Sequence, residues 1–120
     1  MGRRKIDEPA KELSPLALDL IASRFRALSE PVRLRLLNLL MQGEHTVGEL
    51  VEASGSGQAN VSKHLAILRD AGMVGMRKEG LTTVCFIADV IVNDLCEMMC
   101  ARLREEMEGK AAALSFDPKI

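Results

Sequence analysis

The strongest constraint on the fold lies in the middle of the chain, where two short helical segments are followed by two strand-like runs. The break Ser54–Gly57 separates the helical segments, and Gly72 stops the second of them. The runs Met73–Arg77 and Thr82–Ile87 follow, and Gly80 supplies the positive φ that a tight turn between them needs. Two helices joined by a turn and followed by a β-hairpin form the winged helix-turn-helix arrangement.

Helices are also predicted on both sides of this unit. Apolar residues recur every three or four positions over Pro15–Leu28, and Pro31 opens a second helix with Ser29 as its cap. Asp89 can cap a last, long helix that runs to about Gly109. The sequence therefore predicts a mainly α fold with a β-hairpin wing (α+β), in the order ααααββα.

The length of 120 residues suits one domain. We expect a flexible basic N-terminal arm over residues 1–14, a winged helix DNA-binding and dimerisation domain over residues 15–109, and a frayed tail over residues 110–120. Residues 1–7 are too polar for a signal peptide, and no apolar run reaches the ~18 residues of a membrane span. We therefore expect a cytoplasmic protein with no membrane partner.

Charge and aromatic content narrow the class of nucleic-acid partner. The formal net charge of −1 combines segments of opposite charge: residues 57–80 carry a net +2 and residues 89–109 carry a net −4. Only the basic part needs to meet phosphate. The chain has three Phe and neither Trp nor Tyr, so aromatic platforms for single-stranded nucleic acid are excluded. Double-stranded DNA is the predicted partner.

The helix that begins at Gln58 has the side chains that a recognition helix needs. Gln and Asn can pair with adenine, Ser can bond to a base or a phosphate, and Lys neutralises phosphate. The alternatives are a polar solvent face for the helix, a structural hydrogen bond for the histidine, and an ordinary charged hairpin end for the wing. The candidate DNA-binding residues are Gln58, Asn60, Ser62, Lys63 and His64 in this helix and Arg77 and Lys78 at the wing tip.

Three segments carry a resemblance to a known family: Ala27–Leu37, Val47–Leu50 and Val61–Val74. Their Ser-x-Pro-x-Arg-Leu and Val-Ser-x-His-Leu motifs resemble the ArsR/SmtB family of bacterial repressors. The resemblance implies a homodimer that binds a palindromic operator and releases it when an inducer binds. It also implies an interface between the first and last helices, for which the apolar candidates are Leu18, Ile21, Phe25, Val92, Leu95, Met99 and Leu103.

Two metal sites of that family do not carry over to this chain. The cysteine-rich string that precedes the recognition helix in some members falls on Thr46–Val51, which contains no Cys. A second site, built from Asp, His, His and Glu, falls on Asp89, Ile91, Arg102 and Glu105, so both histidines are missing. A zinc site of the family type is therefore not expected. No cofactor is needed for DNA binding.

The remaining sensor candidates are Cys96 and Cys100, which lie one helical turn apart, roughly 6 Å, on the last helix. Cys85 could provide a third sulfur. Three roles are open: binding of a metal or metalloid such as arsenite, thiol oxidation or reaction with sulfur species, and plain apolar packing. The odd number of cysteines favours free thiols in a reducing compartment.

Two other classes of function compete with a DNA-binding repressor. An enzyme is disfavoured because the sequence offers no nucleophile with a base and an orienting group, no glycine-rich phosphate loop and no zinc motif. A protein-interaction module that has lost DNA binding would show no salt-dependent affinity for DNA. His45 has no His or Cys near it in sequence and is interpreted as a surface residue of an exposed turn.

Overall fold

The structure is a computed structural model that describes residues 11–108. Residues 11–14 have no regular secondary structure, and the rest of the predicted arm and the whole predicted tail lie outside the described residues. The elements, in chain order, are α1 (Pro15–Leu28), α2 (Pro31–Met41), β1 (His45–Thr46), α3 (Val47–Ser54), α4 (Gln58–Asp70), β2 (Val74–Glu79), β3 (Thr82–Ile87) and α5 (Ile91–Glu106). None of the described helices is long and apolar enough to cross a bilayer.

The predicted cap of α2 is wrong, because Glu30 and not Ser29 occupies the N-cap position. The Glu30 carboxylate accepts a hydrogen bond of 2.6 Å from the amide of Val32. Residues before a proline favour extended backbone, and Glu30, which precedes Pro31, is extended with φ −133° and ψ 125°. Ser29 lies at the other boundary, where its hydroxyl donates to a carbonyl at the end of α1.

The helix-turn-helix unit is formed by α3 and α4. A capping box starts α3: the Thr46 hydroxyl accepts from the amide of Glu49, and the Glu49 carboxylate accepts from the amide of Thr46. Gly55 ends α3 in the left-handed conformation, with φ 75°, which costs a glycine little. The chain then turns into α4 at Gly57.

The sheet has three antiparallel strands in the order β1-β3-β2, one strand more than predicted. The additional strand, β1, pairs His45 with Cys85 and Thr46 with Val84. His45 is therefore a half-buried strand residue and does not lie in an exposed turn. The hairpin of β2 and β3 agrees with the prediction, and β2 extends two residues further, to Glu79, because cross-strand pairing continues as far as Thr82.

The hydrophobic core joins α2, α3, α4, the sheet and the start of α5. Its largest fully buried side chains are Leu36, Leu37, Leu50, Val61, Leu65, Leu68, Cys85 and Val92. Burial of each of these leucine side chains contributes about 1.5–3 kcal/mol to the free energy of unfolding. Val92 was predicted at a dimer interface. That prediction is wrong, because its side chain is fully buried in the core of its own chain.

The last helix starts one residue later than its predicted cap implies. Val90 occupies the N-cap position of α5, although the Asp89 carboxylate still accepts a 3.1 Å hydrogen bond from the amide of Ile91. The helix ends at Glu106. Its first turn is anchored in the core and most of its later residues are exposed, so α5 projects from the domain.

Candidate nucleic-acid interface

The N-terminal half of α4 has a buried stripe and an exposed polar face. Val61 and Leu65 lie in the core, whereas Gln58, Ser62 and Lys63 are exposed and Asn60 is half-buried. No side chain within the described residues caps the helix at Gly57, so its first amide groups point outward without a capping partner. A helix N-terminus of this kind attracts phosphate.

His64 does not belong to this polar face, and its predicted contact with DNA is wrong. Its side chain is only 6% exposed, and its Nδ1 lies 2.9 Å from Nη1 of Arg33. The guanidinium is always protonated and can only donate, so Nδ1 must accept and the ring proton lies on Nε2. Burial lowers the pKa of His64, while Glu30 raises it and Arg33 and Lys63 lower it. The ring is therefore held neutral.

The wing carries two cations with different surroundings. Arg77 donates to Glu44 and to Glu79, at 2.7 Å in each case, and lies over the ring of Phe86 at 5.6 Å. These hydrogen bonds raise the pKa of Arg77, and the Glu44 carboxyl has a lowered pKa because it accepts from Arg77. Lys78 is exposed and forms no ion pair with the part of the chain that the structure describes. Lys78 is therefore the wing cation that is ready for a phosphate.

The two terminal helices expose apolar side chains that a solitary domain would be expected to bury. On α1, Leu18 and Phe25 are 53% and 58% exposed, and Ile21 is also exposed. On α5, Met99 and Leu103 are exposed and Leu95 is half-buried. Three further exposed apolar side chains lie on these two helices outside the predicted interface: Leu16, Leu20 and Met98. At 100° per residue, Leu16 and Leu20 lie on the opposite side of α1 from Leu18 and Phe25.

The three cysteines lie in two different environments. Cys85 is fully buried in β3, opposite Met76 of β2, and burial raises the pKa of its thiol. Cys96 packs against the core and Cys100 is half-buried one turn further on. Burial, followed by the neighbouring Cys100, raises the pKa of Cys96. Nη2 of Arg104 lies 3.6 Å from the Cys100 sulfur.

The structure does not bring the three sulfurs together. Over residues 11–108, no three His, Cys, Asp or Glu side chains lie close enough to hold a metal ion. The predicted participation of Cys85 is wrong for a single chain, because its side chain is enclosed in the sheet. Cys96 and Cys100 remain as a pair that can offer two thiolates from one helix face.

Sequence reasoning missed the roles of Arg33 and Glu44. Arg33 stands inside the Ser-x-Pro-x-Arg-Leu motif, yet its contact with His64 spans 31 positions and has no local signal. Glu44 meets Arg77 across 33 positions, between a loop and the wing. Both contacts depend on tertiary packing.

Comparison with known proteins agrees with this geometry. Residues 30–75 match the family described as "Bacterial regulatory protein, arsR family". A probable mercury resistance operon repressor of Streptomyces lividans is 43% identical over 84 residues, which cover 70% of this chain and 66% of that protein. A biofilm growth-associated repressor of Xylella fastidiosa is 34% identical, with 71% of this chain and 78% of that protein covered.

A solved structure extends the agreement to the fold. The winged helix-turn-helix DNA-binding domain of a possible ArsR-family regulator from Mycobacterium bovis, described as homodimeric, superposes with a TM-score of 0.71 at 33% identity. The match covers 77% of this chain and 85% of that one. The relatives are regulators and not enzymes. The chain therefore belongs to the ArsR family of bacterial regulatory proteins and is a transcriptional repressor with a winged helix-turn-helix fold.

Proposed function

We propose that the chain represses transcription as a cytoplasmic homodimer that places two α4 helices in successive major grooves of a palindromic operator. The observation that carries the proposal is the exposed polar face of α4 beside a wing with an exposed lysine. Gln58 and Asn60 would read adenine edges, and Ser62 would bond to a base or a phosphate. Lys63 and Lys78 would neutralise phosphates, the latter beside the flanking groove.

The dimer would form through α1 and α5. The exposed side chains Leu18, Phe25 and Met99 support this assembly, because their burial would remove apolar surface from water. The homodimeric description of the Mycobacterium bovis relative supports it as well. A two-fold axis between the α5 helices would set the separation of the α4 helices near one turn of DNA, about 34 Å.

The inducer would act on Cys96 and Cys100. Two sulfurs one turn apart fit a soft, thiophilic metal or metalloid that accepts two thiolates, such as mercury or arsenite. The mercury resistance relative from Streptomyces lividans supports this class of inducer. Because the pair lies on the helix proposed to join the subunits, an ion bound there would alter the spacing of the two α4 helices. Oxidation of the same thiols, or their reaction with sulfur species, is the alternative inducing chemistry.

The first test is sequence selection. The full chain would be incubated with a pool of random double-stranded DNA, and bound duplexes would be recovered and sequenced over several rounds. We expect a palindromic consensus with half-sites about one helical turn apart, bound by two chains per duplex. Enrichment of no sequence would contradict the proposal, as would equal affinity for the selected duplex and a scrambled duplex of the same composition.

A further inference from the structure

One guanidinium joins the end of α1 to the recognition helix. Arg33, on α2, donates from Nε to the carbonyl of Ala27 at 2.7 Å and from Nη2 to the carbonyl of Arg26 at 3.2 Å. Its third contact, from Nη1 to Nδ1 of His64, reaches α4. The planar fork of an arginine can meet three acceptors at once, whereas the ammonium of a lysine cannot reach in three fixed directions.

The link crosses a gap between helices. A cleft of about 310 Å³ lies beside Arg33, and its walls come from α1 and from the last turn of α4, including Ser23, Ile67 and Asp70. Because α1 and α4 leave this space between them, the side chain of Arg33 bridges helices that are not closely packed there. The link therefore connects the proposed dimer helix to the helix proposed to read DNA.

We propose that Arg33 is a positioning residue for DNA binding, which holds α4 against the end of α1 through the neutral ring of His64, and that protonation of His64 releases this hold. The inference rests on the proposed DNA binding. It goes beyond that function because it assigns a positioning role and a proton-sensitive joint to residues that do not face the DNA.

The chemistry of the joint follows from its donors and acceptors. Arg33 offers only N–H groups, so His64 can accept from it only while Nδ1 carries no proton. A protonated ring would place two cations and two opposed donors 2.9 Å apart. The charged groups that face His64 are Arg33 and Glu30 from the start of α2 and Lys63 from α4 itself. Two of these three are cations, and the ring is buried, so protonation is strongly opposed while the link is intact.

The sign of the pH effect separates this role from a contact with DNA. If His64 positions α4 through Arg33, acidification breaks the link and weakens duplex binding. If His64 faced a phosphate, acidification would add a positive charge and strengthen binding. The two roles therefore predict opposite slopes over the same pH range.

The experiment measures the affinity of the full chain for the duplex obtained by sequence selection, by fluorescence anisotropy between pH 8 and pH 5.5. We expect constant affinity at the alkaline end and a loss of about 5- to 150-fold as His64 becomes protonated below about pH 6.5. His64→Asn retains an acceptor near the position of Nδ1 and has no titratable ring, so it should bind well and lose this pH dependence. His45→Asn is the matched control and should keep it.

Arg33→Lys tests the geometry of the link, because it keeps the charge and removes the fork. It should weaken binding at pH 7.5 and flatten the pH profile. The inference would be overturned if the affinity for the duplex rose on acidification. It would also be overturned if the His64→Asn chain lost affinity on acidification as the wild-type chain does. If the wild-type chain binds no duplex at any pH, the proposed function fails, and long-range ¹⁵N NMR decides the link: a proton on Nε2 of His64 at pH 7.5 supports it, and a proton on Nδ1 overturns it.

Discussion

Nη2 of Arg77 lies 2.7 Å from Oε1 of Glu44, so the wing is tied to the loop that connects α2 and β1. Both side chains are about half exposed, at 43% and 53%, so the pair adds little to the stability of the fold. Its consequence is functional, because an arginine that is held by two carboxylates has less positive charge to offer to a phosphate.

The wing cations should therefore contribute unequally to DNA binding. Lys78→Ala should weaken binding of the selected duplex more than Arg77→Ala. The reason is that Lys78, unlike Arg77, pairs with no carboxylate within the part of the chain that the structure describes. Glu44→Gln should strengthen binding at low salt, since it frees part of the Arg77 charge. Anisotropy titrations of the three variants at one salt concentration check this order, and a larger loss in Arg77→Ala would contradict it.

The packing of the wing depends on the absence of a side chain at Gly75. This residue pairs with Phe86 across the hairpin, and a Cβ built there would overlap the Phe86 ring, over which Arg77 lies. Gly75→Ala should lower the free energy of unfolding by about 1–3 kcal/mol, as overpacking does. Urea denaturation measures the change.

Gly48→Ala is the matched control for the wing variant. Gly48 lies within α3, and a Cβ there meets only Oγ1 of Thr46, at 3.8 Å. Alanine favours helix more than glycine does, so this substitution should raise the free energy of unfolding by about 0.5–1 kcal/mol. Equal destabilisation by both substitutions would show that steric overlap with Phe86 is not the cause.

The stability of the fold should depend on pH through His64. Its pKa is lowered in the folded chain, so the folded state binds fewer protons than the unfolded state below about pH 6.5. His64 should therefore leave the free energy of unfolding unchanged above that pH. The free energy of unfolding should fall as the pH drops below it. Glu44 and Glu49 have lowered pKa values and affect stability only at more acidic pH, below their ordinary value of 4.5.

Urea titrations of the wild-type chain and His64→Asn at pH 7.5 and pH 5.5 isolate the contribution of the histidine. The wild-type chain should lose more stability than the variant between these two pH values. An identical loss in both chains would place the titrating group elsewhere.

The cysteine pair should be necessary for induction. The double variant Cys96→Ser/Cys100→Ser should bind the selected duplex as the wild-type chain does. It should remain bound to the duplex when Hg²⁺, arsenite or Cd²⁺ is added, whereas the wild-type chain should release the duplex. Cys85→Ser should release the duplex as the wild-type chain does, because the Cys85 sulfur is enclosed in the sheet. Gel-shift titrations with each ion, and with peroxide or polysulfide for the alternative chemistry, decide the inducer. Equal release from the double variant would remove the cysteines from the mechanism.

The sequence predicted the elements that local chemistry determines. The periodicity of α1 and the left-handed turn at Gly80 need only near neighbours. Strand β1 could not be predicted, because two residues show no alternation and the strand exists only through its pairing with β3. Contacts such as that between Arg77 and Glu44 depend on tertiary packing in the same way.

The placement of His64 was available from the sequence. It stands three residues after Val61 and four before Leu68, so the period of a helix puts it on the buried stripe with both of them. Ser62, Lys63 and His64 are consecutive polar residues, so residue type alone does not distinguish the buried His64 from its two exposed neighbours. The identity of its partner, Arg33, was not available, because the contact joins two helices.

If the N-terminal half of α4 reads double-stranded DNA, its polar side chains must be necessary for sequence preference. The most direct test is the dissociation constant of the selected duplex for the wild-type chain and for a variant with alanine at Gln58, Asn60, Ser62 and Lys63. All four side chains lie outside the hydrophobic core, so the variant should keep its circular dichroism spectrum and its unfolding midpoint. We predict that it loses all preference for the selected duplex over a scrambled one. A variant that keeps the wild-type preference and affinity would show that these four side chains do not read the DNA.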